Sequence, residues 1–260
     1  MPELPDVERF RRVFAEHATG RRIRAVVTTD PAIVRNATPE ALEAALTGAR
    51  FDEPERRGKW LLAWTGGPAM LLHFGMTGDV IPAADAAGRH PHDRVVVVLD
   101  RGEVRYRNMR KFGGVWLAHD RREAERILSG LGPDAMSIDR RSFVSLLRGR
   151  RGRVKAALMD QRLLSGVGNL VADEVLWHAR IHPAGRLADL ADRDLARLHG
   201  RLRAVLERWV EGYGRLPRGW LIRTRGPGGA CPRCGRPLER STVGGRTTYH
   251  CPVCQPAGPA

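Results

Sequence analysis

The placement of the cysteines constrains this chain more than any other feature. All four fall in the last thirty residues, as Cys231-Pro-Arg-Cys234 and Cys251-Pro-Val-Cys254, with sixteen residues between the pairs. Each pair offers two sulfurs from one tight turn, and a hairpin of this length brings two such turns together. That is the pattern of a tetrahedral tetrathiolate zinc site. The alternatives, a pair of disulfides or a redox dithiol, suit a secreted or thioredoxin-like chain, and nothing here suggests either. Four thiolates leave no open coordination position, so the expected Zn2+, one per chain, is structural. Between the pairs, Gly244-Gly245 reads as a hairpin turn with Arg246 and Thr247 at its tip, within reach of a DNA backbone. The plainer reading of Arg246 is one more surface arginine.

The 260 residues are enough for two domains whose cores need no disulfide staples. With 44 Lys+Arg against 29 Asp+Glu, the formal net charge is +15. A polyanionic partner follows, nucleic acid first and an anionic membrane surface second. Nearly all of the positive charge is arginine, and Lys59, Lys111 and Lys155 are the only lysines. No stretch is long and apolar enough to span a bilayer, and the start has no signal-peptide pattern. The expectation is a cytoplasmic protein with no membrane partner.

Residues 4–18 carry Leu4, Val7, Phe10, Val13 and Phe14 at helical spacing, and Gly20 closes that element. β-like runs follow at 22–28, 60–64, 69–74, 95–99 and 103–107, with Thr38-Pro39-Glu40 opening one interposed helix. The pattern then turns helical, at 120–130, 139–149, 153–164, 169–179 and 192–211. Gly226-Pro227-Gly228-Gly229 marks a linker into the cysteine tail, and Pro256 to Ala260 read as a loose end. The expected class is α+β. Its parts are a β-rich domain over 1–120, a helical domain over 121–225, and a zinc-bearing tail over 226–260.

Two further motifs carry chemistry. Gly166-Val167-Gly168-Asn169 makes a tight turn after a helix ending near Leu164, and Asn169 starts the next helix. Exposed N–H groups there, with the Asn169 side chain, suit one DNA phosphate; the alternative is an ordinary corner with an Asn cap. At the start, removal of Met1, usual before a small residue, exposes the secondary amine of Pro2. Attack of that amine on a sugar C1′ gives an iminium ion, an electron sink that activates the adjacent carbon for elimination. Glu3 is placed to shuttle protons if its pKa rises in a closed site.

Met-Pro-Glu-Leu-Pro, the Gly-Val-Gly-Asn turn and the terminal zinc hairpin, in this order, resemble the bacterial formamidopyrimidine-DNA glycosylase / endonuclease VIII family. The resemblance extends through the whole chain and is closer to the formamidopyrimidine branch. It implies an N-terminal β-sandwich flanked by helices, a helix–two-turn–helix domain and a zinc finger. It also implies a DNA glycosylase with AP-lyase activity that acts on damaged double-stranded DNA as a monomer, in the cytoplasm and on the nucleoid. By this resemblance Pro2 is the Schiff-base nucleophile and Glu3 the acid/base residue. Lys59, in a Gly-Lys turn, binds phosphate and supports chemistry at the lesion, and Arg246 completes the catalytic set. Asn169 and Arg246 clamp the phosphates flanking the lesion, with Lys155 as a further phosphate contact. His73-Phe74-Gly75-Met76-Thr77-Gly78 matches a family motif in which Met76 fills the space left by an everted nucleotide. Asn108-Met109-Arg110-Lys111-Phe112-Gly113 is similar to the family's intercalation loop, with Arg110 facing the orphaned base and Phe112 as wedge.

The chain departs from that pattern in four places. Asp6 stands where Glu is usual, and Asn108-Met109 where the loop commonly opens Asp-Pro. Val171 replaces an aromatic residue, and Gly214 to Gly226 is short for a loop that covers an everted 8-oxoguanine. These changes spare the proposed reaction centre and leave the damaged base open. Two other readings stand beside the enzyme. One is a non-catalytic protein that binds damaged or abasic DNA. The other is a zinc-ribbon RNA binder, against which the 6% aromatic content argues.

Overall fold

The structure, a computed structural model, describes residues 2–257. Met1, whose removal is expected above, and residues 258–260 of the expected loose end lie outside the described residues. The chain forms two compact units, one of Asp6–Gly130 with Pro2 and one of Leu131 onward with Glu3–Pro5.

The first unit is a pair of four-stranded antiparallel sheets with helices. In chain order it contains α1 (Leu4–Ala18, shared at its start with the other unit), β1 (Ile23–Thr28), α2 (Pro39–Leu46), β2 (Glu55–Arg57), β3 (Trp60–Trp64) and β4 (Ala69–His73). It continues with β5 (Gly78–Ala83), β6 (Asp93–Leu99), β7 (Glu103–Asn108), β8 (Gly114–Ala118) and α3 (Arg121–Ile127). The sheets run β1-β6-β7-β5 and β2-β3-β4-β8. One core joins Val95, Val97 and Val104 of the first sheet to Leu61, Met70, Leu72 and Val115 of the second, with Phe10 and Phe14 of α1. Each such side chain contributes roughly 1.5–3 kcal/mol by leaving water. Three strands escaped the sequence reading. β2 has three residues, β8 opens on Gly114, and β5 holds Gly78 and Pro82. β5 tolerates Pro82 because it is the edge of its sheet, where a missing N–H costs no ladder bond. α2 is capped as expected, Thr38 Oγ1 accepting from Ala41 N–H with Pro39 in the first turn.

Two loops of this unit, 74–77 and 109–113, are locked backbone to backbone. A Cβ on Gly113 would lie 1.9 Å from the His73 carbonyl oxygen, and one on Gly75 2.4 Å from the Gly113 nitrogen, so only glycine fits. The buried Asn108 carboxamide ties the loops. Its Nδ2 donates to Tyr106 Oη (2.7 Å) and the Phe74 carbonyl (3.3 Å); its Oδ1 accepts from Lys111 N–H (3.0 Å) and Thr77 Oγ1 (3.2 Å). Because Asn108 donates to the Tyr106 hydroxyl, that hydroxyl is free to donate to the His73 carbonyl at 2.8 Å. An aspartate here, as in the resembled pattern, has no N–H to give.

The second unit is helical and closes on the cysteine hairpin. Its elements are α4 (Arg140–Leu147), α5 (Val154–Met159), α6 (Asn169–Ala179), α7 (Asp192–Glu211), β9 (Glu239–Val243) and β10 (Arg246–His250). Leu195, Leu198, Leu202, Val205, Leu206 and Trp209 of α7 pack with Val171, Val175 and Leu176 of α6, and Leu4 joins the same core. The expected helix over 153–164 ends at Met159. The Asp160 carbonyl accepts from Leu163 and Leu164 N–H, and the Gln161 side chain bridges Met159, Val167 and Gly166, which turns the chain. Gly244 and Gly245 hold φ of +58° and +70°, the conformation of a two-residue hairpin turn that joins β9 to β10. Helix Arg121–Ile127, expected to open the helical domain, lies in the first unit, and the cysteine hairpin belongs to the second.

Replacing Asn108 by alanine takes the acceptor from Lys111 N–H and the donor from the Tyr106 hydroxyl, and leaves the Phe74 carbonyl with its Gly78 N–H alone. Asn108→Ala is expected to lower stability by about 1–3 kcal/mol, read as a drop in the midpoint of thermal unfolding.

Candidate active site and zinc centre

The Glu3 carboxylate is 1% exposed and sits at the start of α6. Its Oε1 accepts from Leu170 N–H (2.8 Å), and its Oε2 from Gly168 N–H (2.9 Å) and Val171 N–H (3.1 Å). Gly168 has no side chain to cap this helix, so Glu3, 165 residues earlier in the chain, does the capping. The Leu4 N–H adds a bond to the Gly166 carbonyl at 3.2 Å. The close approach explains both glycines. A Cβ on Gly168 would lie 2.3 Å from the Glu3 carboxyl carbon, and one on Gly166, whose φ is +106°, 2.5 Å from Leu4. Pro2, half-buried, is one peptide bond from this anchored carboxylate.

In the first unit, Lys59 follows Gly58 (φ +56°) in the turn between β2 and β3. His73 ends β4 with its ring 4.9 Å from that of Trp60. Burial, and then the nearby Lys59 charge, push the His73 pKa down to about 4, so its imidazole is neutral at physiological pH. The locked loops present three large apolar side chains to solvent, Met76 (39% exposed), Met109 (53%) and Phe112 (61%). The Arg110 guanidinium lies 4.9 Å from the centre of the Phe112 ring. Met109 was noted in the sequence only as a departure in the loop and was given no role.

In the second unit, Asn169 is the first residue of α6, and its Nδ2 donates to the Thr247 carbonyl at 3.0 Å. Arg246, exposed, follows the Gly-Gly turn. Lys155 corrects the expectation of a phosphate contact, because it is fully buried. Its Nζ meets Asp173 Oδ1 at 2.6 Å and Thr248 Oγ1 at 2.7 Å. Burial draws its pKa below the ordinary lysine value, against the pull of Asp173. Asp173 and Arg225, paired at 2.7 Å, were missed altogether. The available signal was an acid one helical turn after Asn169, on a face otherwise apolar.

The four cysteines are free thiols whose sulfurs all lie within 4.8 Å of one another. Cys234–Cys251, Cys234–Cys254 and Cys231–Cys254 are 3.5, 3.6 and 3.9 Å apart. Zn–S bonds of about 2.3 Å in a tetrahedron require edges of about 3.8 Å, so the set fits one structural zinc ion. The Trp177 indole N–H donates to Cys231 Sγ at 3.4 Å and Cys254 N–H to Cys251 Sγ at 3.4 Å, both suited to thiolates.

The depressed His73 pKa has a consequence for stability. Between its ordinary value of 6.5 and about 4, the unfolded chain takes up a proton that the folded chain refuses. The contribution of His73 to stability is therefore complete above pH 6.5 and is lost as pH falls toward 4. His73→Gln is expected to flatten that part of the stability–pH profile, measured by denaturant titration from pH 4 to 7.

With the geometry in hand, comparison with known proteins is direct. The formamidopyrimidine-DNA glycosylase N-terminal domain matches residues 1–115, the H2TH domain of the same glycosylase 130–216, and the zinc finger found in FPG and IleRS 228–257. The formamidopyrimidine-DNA glycosylase of Symbiobacterium thermophilum is 38% identical over 98% of this chain and 90% of its own. That of Thermus thermophilus is 38% identical over the full length of both. The Lactococcus lactis enzyme in complex with DNA containing N7-benzyl-Fapy-dG superposes with a TM-score of 0.88 at 31% identity, covering 98% of this chain and 100% of that one. Its complex with abasic-site DNA gives 0.89 at 30%, covering 98% and 99%. No described helix is long and apolar enough to cross a membrane. The chain belongs to the formamidopyrimidine-DNA glycosylase family of base-excision-repair enzymes.

Proposed function

We propose that this enzyme everts an oxidised or ring-opened base from double-stranded DNA, removes it with the amine of Pro2, and then cleaves the strand at the resulting site. The observation that carries this reading is the capture of Glu3 by three N–H groups at the start of α6, which fixes the residue next to Pro2. The Pro2 nitrogen attacks C1′ and the base departs with a proton. The sugar ring opens as its oxygen gains a proton, leaving an iminium ion at C1′. Loss of a C2′ proton then expels the 3′ phosphate; a further elimination on the other side removes the 5′ phosphate. Glu3, a carboxylate beside the amine, serves as the nearby proton acceptor, and Lys59 supports the reaction as a cation near the lesion.

Eversion costs a few kcal/mol of lost stacking and pairing. Exposed Met76 and Phe112 offset it by filling the vacated stack, with Arg110 against the orphaned base. Asn169 and Arg246 hold the flanking phosphates, which sets register without reading sequence. The enzyme works as a monomer in the cytoplasm, bound to the nucleoid when engaged on DNA.

The test is borohydride reduction with an abasic duplex, using protein shown by mass spectrometry to lack Met1. A covalent adduct that maps to Pro2 and is lost in Pro2→Gly is the expected result. Salt-sensitive binding with no adduct would reduce the protein to a damage-binding module. Phe112→Ala is expected to slow base removal from duplex by about ten- to a hundredfold, as loss of one stacking platform predicts. Cleavage of a single-stranded abasic oligonucleotide should be nearly unchanged, measured in single-turnover assays.

A further inference from the structure

The Thr247 carbonyl oxygen, next to Arg246 on β10, receives three side-chain donors. Arg225 Nη2 lies at 2.7 Å, Asn169 Nδ2 at 3.0 Å and Lys155 Nζ at 3.4 Å. A carbonyl has two lone pairs, so this oxygen is saturated. Behind it, Asp173 is buried on α6, four residues after Asn169 and on the same face. Its carboxylate takes Lys155 Nζ at 2.6 Å, Arg225 Nε at 2.7 Å and the Tyr249 N–H at 3.3 Å. The Arg225 guanidinium also lies 5.2 Å from the centre of the Tyr249 ring.

Zinc fixes the hairpin at its cysteine end, whereas Arg246 pairs with Val243 at the opposite end, beside the turn. Something else must hold that end, and Arg225 does so from the linker. Its Nε grips Asp173 while its Nη2 grips Thr247, two donors fixed in one plane that a lysine cannot reproduce. The Asn169 amide is oriented by the same carbonyl. Among the described residues its Oδ1 is buried with no hydrogen-bond partner, so donation to Thr247 sets the rotamer and, among those residues, leaves one N–H of Nδ2 unspent.

We propose that Arg225 and Asp173 are positioning residues for phosphate binding: by clamping the Thr247 carbonyl they orient the Asn169 amide and hold Arg246 at the hairpin tip. This rests on the reading of Asn169 and Arg246 as phosphate contacts. The test is the affinity for a duplex carrying a tetrahydrofuran abasic analogue, at one salt concentration, with zinc per chain measured in parallel. The proteins are wild type, Arg225→Met, Arg225→Lys, Asn169→Ala, Arg246→Ala and the double variant Arg225→Met/Asn169→Ala. Arg225→Met should bind about tenfold more weakly with zinc retained, the cost expected for a lost buried charged hydrogen bond. Arg225→Lys should recover part of the loss. In the Asn169→Ala background, Arg225→Met should add less than it does alone, because the two act through one carbonyl. Wild-type affinity in Arg225→Met, fully multiplicative losses in the double variant, or loss of zinc from both Arg225 variants would each overturn the proposal. If Asn169→Ala and Arg246→Ala themselves bind as wild type, the phosphate-contact reading fails and takes this inference with it.

Discussion

The Glu3 carboxylate is the interaction on which the arrangement at the start of the chain depends. An α-helix begins with N–H groups that have no partner within it, and α6 begins at a glycine that has no side chain to offer. A buried carboxylate with three N–H donors satisfies that end, and the positive end of the helix dipole favours its charge. The cost is steric. The turn must come so close to the N-terminal segment that Gly166 and Gly168 admit no Cβ. The reward is that the segment leading into α1 is tied through Glu3 to a packed helix.

The other groups are held on the same principle, by rigid backbone rather than by side-chain crowding. In the first unit, Asn108 and two close-packed glycines fix loops whose exposed Met76, Met109 and Phe112 would otherwise gain by collapsing onto the surface. In the second, four thiolates fix one end of a hairpin and the Asp173–Arg225–Thr247 contacts the other. Apolar and cationic groups are thereby kept presented to solvent in fixed positions; if they meet DNA as proposed, less entropy is lost on binding.

Much of this was legible in the sequence. The cysteine spacing carried the zinc site, helical spacing carried α1, α6 and α7, and Gly-Val-Gly-Asn carried the turn on which Glu3 docks. What escaped did so for physical reasons. β5 and β8 carry residues that depress strand propensity, and their place comes from pairing with β7 and β4. Helix α5 stops early because Gln161 and Asp160 bond to a turn that no periodicity reveals. Lys155 was misread because its charge suggested solvent or phosphate, whereas its partner Asp173 is eighteen residues on and joined to it only by the fold. Glu3 was expected as a proton carrier; its role as a helix cap, 165 residues away in sequence, could not be seen locally.

The central claim is that docking of Glu3 on the Gly168 turn holds Pro2 in reacting position. A methyl group on Gly168 would overlap the Glu3 carboxyl carbon at 2.3 Å and must displace it. The direct measurement is the single-turnover rate of imine trapping by the Gly168→Ala protein, with Met1 removed, zinc loaded, and enzyme saturating over an abasic duplex. Displacement of a reacting group by about 1 Å costs about a hundredfold, and a loss of that order is the predicted result. Trapping at the wild-type rate would show that the nucleophile does not depend on this docking, and would contradict the account.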